Sequence, residues 1–263
     1  MGDLRNLRDW LGRTETLQDV AAAVPLAGMN ALLNRDTPVG DTVPPLGHWL
    51  YFLNGARQSE LGSDGHPKRD GALPPRRMWA GSRVEFLAPI AIGAAMTRRA
   101  ETVATEKKSG ASGDMIFVTE RYEISADGVP AVQEERDVVY RAATGEAPKS
   151  SLAMPQPEHT RSVTPDATQL FRFSALTFNA HRIHYDRDYT TGVEGYPGLV
   201  VQGPYTAMLL MDLALRQGVR PRTFAFRARR PHFAGRVLNL CAAGNRLWST
   251  DDRGQVGMTA EIS

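Results

Sequence analysis

The chain has 263 residues, 42% hydrophobic and 23% charged, so it can bury a core for one large domain or two small ones. A net charge of +2 is too small to indicate a nucleic-acid partner, and a pI near 8.8 would only favour an anionic small molecule. No apolar run approaches the length of about 18 residues that spans a bilayer, and no secretory signal is visible, so we expect a cytoplasmic protein without a membrane partner.

The first half of the sequence begins with helix-forming residues and continues in strands. Residues 14–34 start at a possible N-cap, Thr14, and predict a helix that Pro25 breaks or kinks. A loop rich in turn residues follows from residue 54 to residue 75, long enough to be functional. From Met78 onward apolar and polar residues alternate between short turns, which predicts the strands SRVEFLAP, AMTRRAETVATEKKSG, DMIFVTERYEIS and ERDVVYRA.

The second half follows a proline-rich segment. Residues 144–167 carry four prolines and few large apolar side chains, which is typical of a linker. Alternation over residues 169–177 predicts a strand that ends just before the segment FNAHRIHYD. An almost entirely apolar helix, roughly Pro204 to Arg216, should be buried on most sides. Further strands are predicted in RTFAFRARR, RVLNLCAAGNRLWS and QVGMTAEI; the single cysteine, Cys241, lies there and excludes an intramolecular disulfide.

The two halves share a short repeat. Each has a strand, a proline, three residues, a glycine and a long strand, so that Pro89 and Gly93 match Pro231 and Gly235. Together with a helix and several antiparallel strands in each half, this repeat predicts an α+β fold made by duplication. We expect each half to curl a sheet around one central helix.

Several common catalytic motifs are missing from the sequence. There is no phosphate-binding, dinucleotide-binding, nucleophile-elbow or zincin pattern. His181 and His184 with Asp186 or Asp188 have a spacing that could bind a metal, but no distant third ligand is apparent. We therefore expect no metal and no other cofactor.

The segment around His184 has a spacing that also fits proton transfer. Downstream, Gly203 and Pro204 open the apolar helix, and since proline has no N–H, a donor there must be the amide of Gly203 or Tyr205. Amides at a helix N-terminus stabilise an enolate or oxyanion, and a histidine beside them suits proton transfer next to a thioester carbonyl. A polar loop followed by an ordinary helix start remains the alternative.

These segments resemble a known family. FNAHRIHYD, GLVVQGP and the duplicated layout are similar to the MaoC-like (R)-specific enoyl-CoA hydratases and 3-hydroxyacyl thioester dehydratases. PPLGHWLYFL, DGHPKR and PPRRMWAGSRVEF resemble the two-domain bacterial branch that contains mesaconyl-CoA and itaconyl-CoA hydratases. The resemblance implies a double hot-dog fold, with two antiparallel sheets each wrapped around a central helix. Residues 1–143 would complete the substrate groove, 144–167 would link, and 168–263 would carry the catalytic residues.

The resemblance also implies roles for individual residues. His184 matches the family's catalytic histidine, and Gly203 its oxyanion donor. Asn179 stands where the family carries an acid, so it could orient water but could not exchange protons. Gln202 stands where the family has a histidine, and we expect His181 to stabilise the loop. The predicted substrate-binding residues are Tyr205, Gln202, Arg76, Arg77, Arg229 and Arg230.

The activity implied by the resemblance is that of a hydro-lyase acting on an acyl-CoA. The enzyme would add or remove water across the α,β double bond of a short branched dicarboxylic thioester. A 3-hydroxyacyl thioester dehydratase of fatty-acid type, a hot-dog thioesterase and a non-catalytic acyl-CoA-binding module are the alternatives. A homo-oligomer, possibly a dimer, is also expected.

Overall fold

The computed structural model describes residues 10–53, 55–68, 74, 76–110, 113–141 and 152–263. Ten strands form in this part of the chain: β1 (Thr14–Val20), β2 (Arg76–Phe86), β3 (Ala95–Gly110), β4 (Gly113–Ala126), β5 (Val129–Arg141), β6 (His159–Val163), β7 (Thr223–Ala228), β8 (Leu238–Ala243), β9 (Arg246–Thr250) and β10 (Val256–Ile262). They pair antiparallel in the order β1-β3-β4-β5-β2-β7-β10-β9-β8-β6. The order confirms duplication, because each half places its strands as first, third, fourth, fifth and second.

The two five-stranded halves join edge to edge where β2 pairs with β7. Four α-helices lie among the described residues: α1 (Ala23–Leu32), α2 (Ala167–Leu176), α3 (Arg187–Gly192) and α4 (Gly203–Arg216). Helix α4 contacts β8, β9 and β10 of its own half and also β2 of the other half. Helix α4 therefore contacts strands from both halves of the sheet.

The short repeat predicted from the sequence is present in the backbone. Gly93 and Gly235 both have positive φ angles, +90° and +77°, which glycine adopts without a steric penalty. The Gly93 N–H donates to Ala21 O, and the Gly235 N–H donates to Pro165 O, in each case just after the first strand of its half. The equivalence of these bonds confirms the predicted match of the two segments.

Helix α4 is the central helix of the second half, and its residues from Tyr205 to Ala214 are all buried, as the sequence predicted. The one carboxylate in that stretch, Asp212, is 1% exposed and accepts bonds from Arg35, Arg161 and Arg216. These ion pairs lower the pKa of Asp212 despite its burial. In the first half the matching position holds only a short 3-10 turn, Gly47–Leu50.

The helix predicted over residues 14–34 is wrong in its first part. Residues 14–20 form β1, an edge strand that pairs with β3 and leaves most of its side chains exposed. Because neither face of β1 is fully buried, its sequence lacks the apolar alternation that predicts a strand. Helix α1 begins at Ala23, so Pro25 lies in its first turn, where an N–H has no helical partner to lose.

The strand predicted over residues 169–177 is also wrong, because this segment is α2. Asp166 and Gln169 form a capping box in which each side chain accepts the other's backbone N–H. Leu170 and Phe173 face the core at helical spacing, whereas Phe171 is 64% exposed. The alternation that indicated a strand is therefore accidental.

The predicted linker is shorter than the sequence indicated. Residues 144–151 lie outside the described part of the chain. Residues 159–163, expected in the linker, form β6 and pair with β8 as the first strand of the second half. The prolines of this segment flank the strand rather than interrupt it.

Candidate active site

The segment from Asn179 to His184, called here the His loop, follows α2 directly. The Asn179 Oδ1 atom accepts the His181 N–H at 3.1 Å, and the His184 N–H donates to His181 O at 3.2 Å. These two bonds close the turn. Loop stabilisation, which we expected of His181, is therefore a role of the Asn179 side chain and of the His181 backbone.

His184 is held in one tautomer. Its ring is 7% exposed, and Nδ1 lies 2.7 Å from the Val200 carbonyl oxygen. Because a carbonyl only accepts, Nδ1 must carry the proton, which leaves a free lone pair on Nε2 of the neutral ring. Burial lowers the pKa of His184 to about 4, so the ring is neutral at ordinary pH. The arrangement is that of a general base.

The N-terminus of α4 presents amides that precede the helical hydrogen bonds. The first bond of the helix runs from the Thr206 N–H to Gln202 O, so the Gly203 and Tyr205 amides come before it. A Cβ on Gly203 would meet only Trp79 O, at the ordinary distance of 3.8 Å. The fold therefore does not require glycine here, and close approach of a ligand to the amide gives a reason for it.

One extended segment connects the histidine to the helix N-terminus. Val200 accepts from His184 Nδ1, donates its own N–H to Ile183 O, and lies three residues before Gly203. Trp79 of β2 approaches the same helix end from the first half. The two predicted catalytic groups are thus attached to one stretch of backbone, whose end meets β2 of the first half.

Two of the predicted substrate-binding side chains are buried in the core. Tyr205 is 1% exposed, packs on Phe173 and accepts a bond from Gln169; its burial raises its pKa to about 12. Gln202 is fully buried and donates to Leu170 O and to a side chain of α2. Both side chains hold α4 against α2, and their contact with substrate stays a prediction.

The predicted arginines lie in different surroundings. Arg76 is paired with Glu194 at 2.8 Å, and Arg77 is partly exposed on β2. Arg229 is exposed, with its side chain near Thr259. Arg230 lines a cavity of about 350 Å³ together with Arg236, Arg253, His232, Phe233 and Asp251.

The expectation that His181 has no distant partner ligand was wrong. Asp64 and His66, from the long loop of the first half, place their potential ligand atoms within 4.8 Å of each other and of His181. Among the described residues this is the group that could hold a metal ion. No local pattern in the sequence indicates this group, because the long loop and the His loop are distant in the chain. That the enzyme needs no metal stays a prediction.

In the part of the first half that the structure describes, no segment corresponds to the His loop. Asn34 and Phe178 both follow their helices with positive φ angles, 51° and 48°, so Arg35 stands in the place of Asn179. Arg35 binds Asp212 of α4. The segment from Phe178 to Leu199 has 22 residues and its counterpart from Asn34 to Asp41 has 8, and the longer segment holds both histidines.

Comparison with known proteins decides the family. Residues 46–234 match the family described as hydroxyacyl-thioester dehydratase type 2, Htd2. The chain belongs to this family. Its relatives are hydro-lyases, and the chain is therefore a hydro-lyase of acyl thioesters. A mesaconyl-C(4)-CoA hydratase from Chloroflexus aurantiacus is 44% identical to it and aligns over 95% of this chain and 94% of its own.

Solved structures share the fold. HtdX from Mycobacterium tuberculosis superposes with a TM-score of 0.70 at 17% identity, covering 95% of this chain and 99% of its own. Another protein of that organism, described as a double hot-dog fold, gives 0.60 at 13% identity, covering 96% and 95%. The predicted double hot-dog fold is confirmed. No helix in the described part of the chain is long and apolar enough to cross a membrane.

Replacing Gly203 by alanine should separate catalysis from folding. The new methyl group has room beside Trp79 O, so the thermal midpoint should stay near that of the wild type. It would stand in front of the amide, and we expect kcat/KM to fall by at least about 10-fold. Gly40→Ala, at an exposed glycine with nothing within 4 Å of the added Cβ, is the control. Normal kcat/KM in Gly203→Ala would show that no ligand approaches this amide.

The buried histidines should make stability depend on pH. Burial lowers the pKa of both His184 and His232 to about 4, so the unfolded chain binds protons that the folded chain does not. The free energy of unfolding should therefore fall as pH drops from about 6.5 towards 4, by up to about 1.4 kcal/mol per pH unit for each ring. The carboxylates with lowered pKa, such as Asp212, add to this loss mainly below about pH 5.

Urea unfolding at about pH 7.5 and about pH 5 measures this loss. His184→Asn should show a smaller loss than the wild type, and His159→Ala, at an exposed histidine, should show the same loss. An unchanged pH dependence in His184→Asn would mean that His184 is not held neutral by burial.

Proposed function

We propose that this hydro-lyase hydrates a short branched dicarboxylic enoyl-CoA, mesaconyl-CoA or itaconyl-CoA, to citramalyl-CoA, or catalyses the reverse dehydration. The observation that carries the chemistry is the tautomer of His184, whose Nδ1–H is bound to Val200 O and whose Nε2 is basic. The substrate class rests on the 44% identical mesaconyl-C(4)-CoA hydratase, which aligns over almost the whole chain.

The reaction needs one base and one stabilised oxyanion. Nε2 of His184 takes a proton from water as the water oxygen bonds to the β-carbon of the substrate. In mesaconyl-CoA, whose double bond is conjugated with the thioester, the double-bond electrons move onto the thioester. The enolate oxygen accepts a hydrogen bond from the Gly203 amide at the positive end of α4. The imidazolium then returns its proton to the α-carbon, so one water is added and nothing is oxidised or reduced.

Asn179 would contribute through its amide nitrogen. Its Oδ1 atom accepts the His181 N–H, so Nδ2 is the end that can face a ligand. An amide nitrogen donates but cannot take a proton, which leaves proton transfer to His184. Asn179 would therefore orient the water oxygen or the product hydroxyl.

The anionic parts of the substrate need cationic partners. The cavity with Arg230, Arg236 and Arg253 adjoins His232, whose carbonyl oxygen accepts the Val201 N–H beside the His184 acceptor. Its charge suits the phosphates of CoA. Arg76 and Arg77 on β2 are the candidates for a substrate carboxylate, although Arg76 would have to exchange Glu194 for it.

A panel of thioesters tests the proposed substrate. Purified enzyme is given both mesaconyl-CoA isomers, itaconyl-CoA, crotonyl-CoA and longer enoyl-CoA esters, while absorbance of the conjugated thioester and release of free thiol are followed together. We expect loss of absorbance without thiol release, with the highest kcat/KM for a dicarboxylic C5 substrate. Thiol release would instead indicate a thioesterase. Preference for crotonyl or longer chains would contradict the dicarboxylic assignment, and binding without turnover would indicate a binding module.

A further inference from the structure

A loop of the first half forms a rigid turn beside the His loop. Residues Gly62–Pro67, called here the DGH loop, are closed by the bond from the Gly62 N–H to His66 O, at 2.7 Å. Inside the turn the Asp64 Oδ1 atom accepts the His66 N–H at 3.0 Å. Gly65 has a φ of +87°. The turn is therefore set by local bonds and presents Asp64 and His66 in fixed positions.

The DGH loop docks on the His loop through the main chain. The Arg182 N–H donates to Asp64 O at 2.9 Å, and the Arg182 guanidinium donates to Ser63 O at 3.0 Å. A Cβ on Gly65 would lie 1.9 Å from Ala180 O, so only glycine allows this approach. Contact of this kind fixes one loop relative to the other.

Docking places a carboxylate and an imidazole next to His181, which is itself the neighbour of His184. The rings of His66 and His181 have centroids 4.3 Å apart, and an Asp64 carboxylate oxygen lies within 4.8 Å of a nitrogen of each. The His181 ring in turn stands edge-on to His184, at 5.4 Å between centroids. The side chains of His66 and His181 thus lie between Asp64 and the base.

We propose that Asp64 is the carboxylate partner of His184 in this chain, acting through His66 and His181 as a positioning residue. The inference rests on the proposed function. Position 179 holds an amide, which cannot offset the positive charge that forms on His184 when it takes a proton from water. The carboxylate of Asp64 supplies that negative charge from the first half of the chain, and it orients the two intervening rings.

The positive charge of Arg182, which contacts the DGH loop, is balanced by another acid. Arg182 is paired with Asp186 at 2.7 Å, which in turn caps α3 through the Tyr189 N–H. Asp186 is thus engaged by Arg182 and α3, and Asp64 is the acid that lies with His66 and His181.

Asp64→Asn tests the proposal, since asparagine keeps the size of the side chain and can still accept the His66 N–H. On the substrate that the wild type hydrates, kcat should fall by about 10-fold to 100-fold. The dissociation constant for a saturated acyl-CoA should stay within about twofold, because the loop remains docked. Asp127→Asn is the matched control, because Asp127 also caps a backbone N–H in a turn, that of Ala95.

Rescue distinguishes a charge role from a structural one. Asn179→Asp restores an acid in the His loop, so the double variant Asp64→Asn/Asn179→Asp should recover most of the lost kcat. Normal kcat in Asp64→Asn would overturn the proposal. It would also be overturned if the kcat of the double variant were no higher than the value obtained by multiplying the effects of the two single substitutions.

The two remaining outcomes are also decisive. If dialysis against a chelator abolished turnover and zinc restored it, Asp64, His66 and His181 would be metal ligands and the proposal would be wrong. If the wild type hydrolysed thioesters instead, the proposed function would fail, yet the same variants would test Asp64 on hydrolysis, because water must still lose a proton to His184.

Discussion

The hydrogen bond from His184 Nδ1 to Val200 O is the interaction on which the site depends. It fixes the tautomer, so the basic nitrogen is Nε2, and it fixes the ring against the segment that leads into α4. Burial keeps that ring neutral by lowering its pKa. The same segment ends at Gly203, so one stretch of backbone sets both the base and the amide that would receive the enolate oxygen.

The duplicated fold explains why that segment is rigid and why one half became catalytic. In both halves a strand, a proline and a positive-φ glycine create the same backbone bonds. In the second half the segment after the first helix is longer, and it contains the His loop. The second half also forms a full central helix, α4. The first half instead contributes the strand β2 and the DGH loop, which approach the site from the opposite side.

Much of this arrangement could be predicted from the sequence, namely those elements whose apolar residues repeat with a clear period. The apolar α4 and the alternating strands after Met78 follow from strong periodicity, whereas the roles of His184 and Gly203 are implied by the family resemblance. The accidental alternation of α2 predicts a strand, and the local signal that indicates a helix there is its capping box, Asp166 with Gln169. The contact between Arg182 and Ser63 spans 119 residues, and no local pattern reveals such a contact. For the same reason the burial of Gln202 and Tyr205 could not be predicted.

Turnover by His184→Asn tests the central claim most directly. Asparagine can still donate to Val200 O from the position of Nδ1, but it has no basic nitrogen in place of Nε2. The account predicts that kcat falls by at least about 10²-fold while binding of a saturated acyl-CoA is kept. His159→Ala, at an exposed strand position, should keep normal kcat. Near-normal kcat in folded His184→Asn would contradict the assignment of His184 as the base.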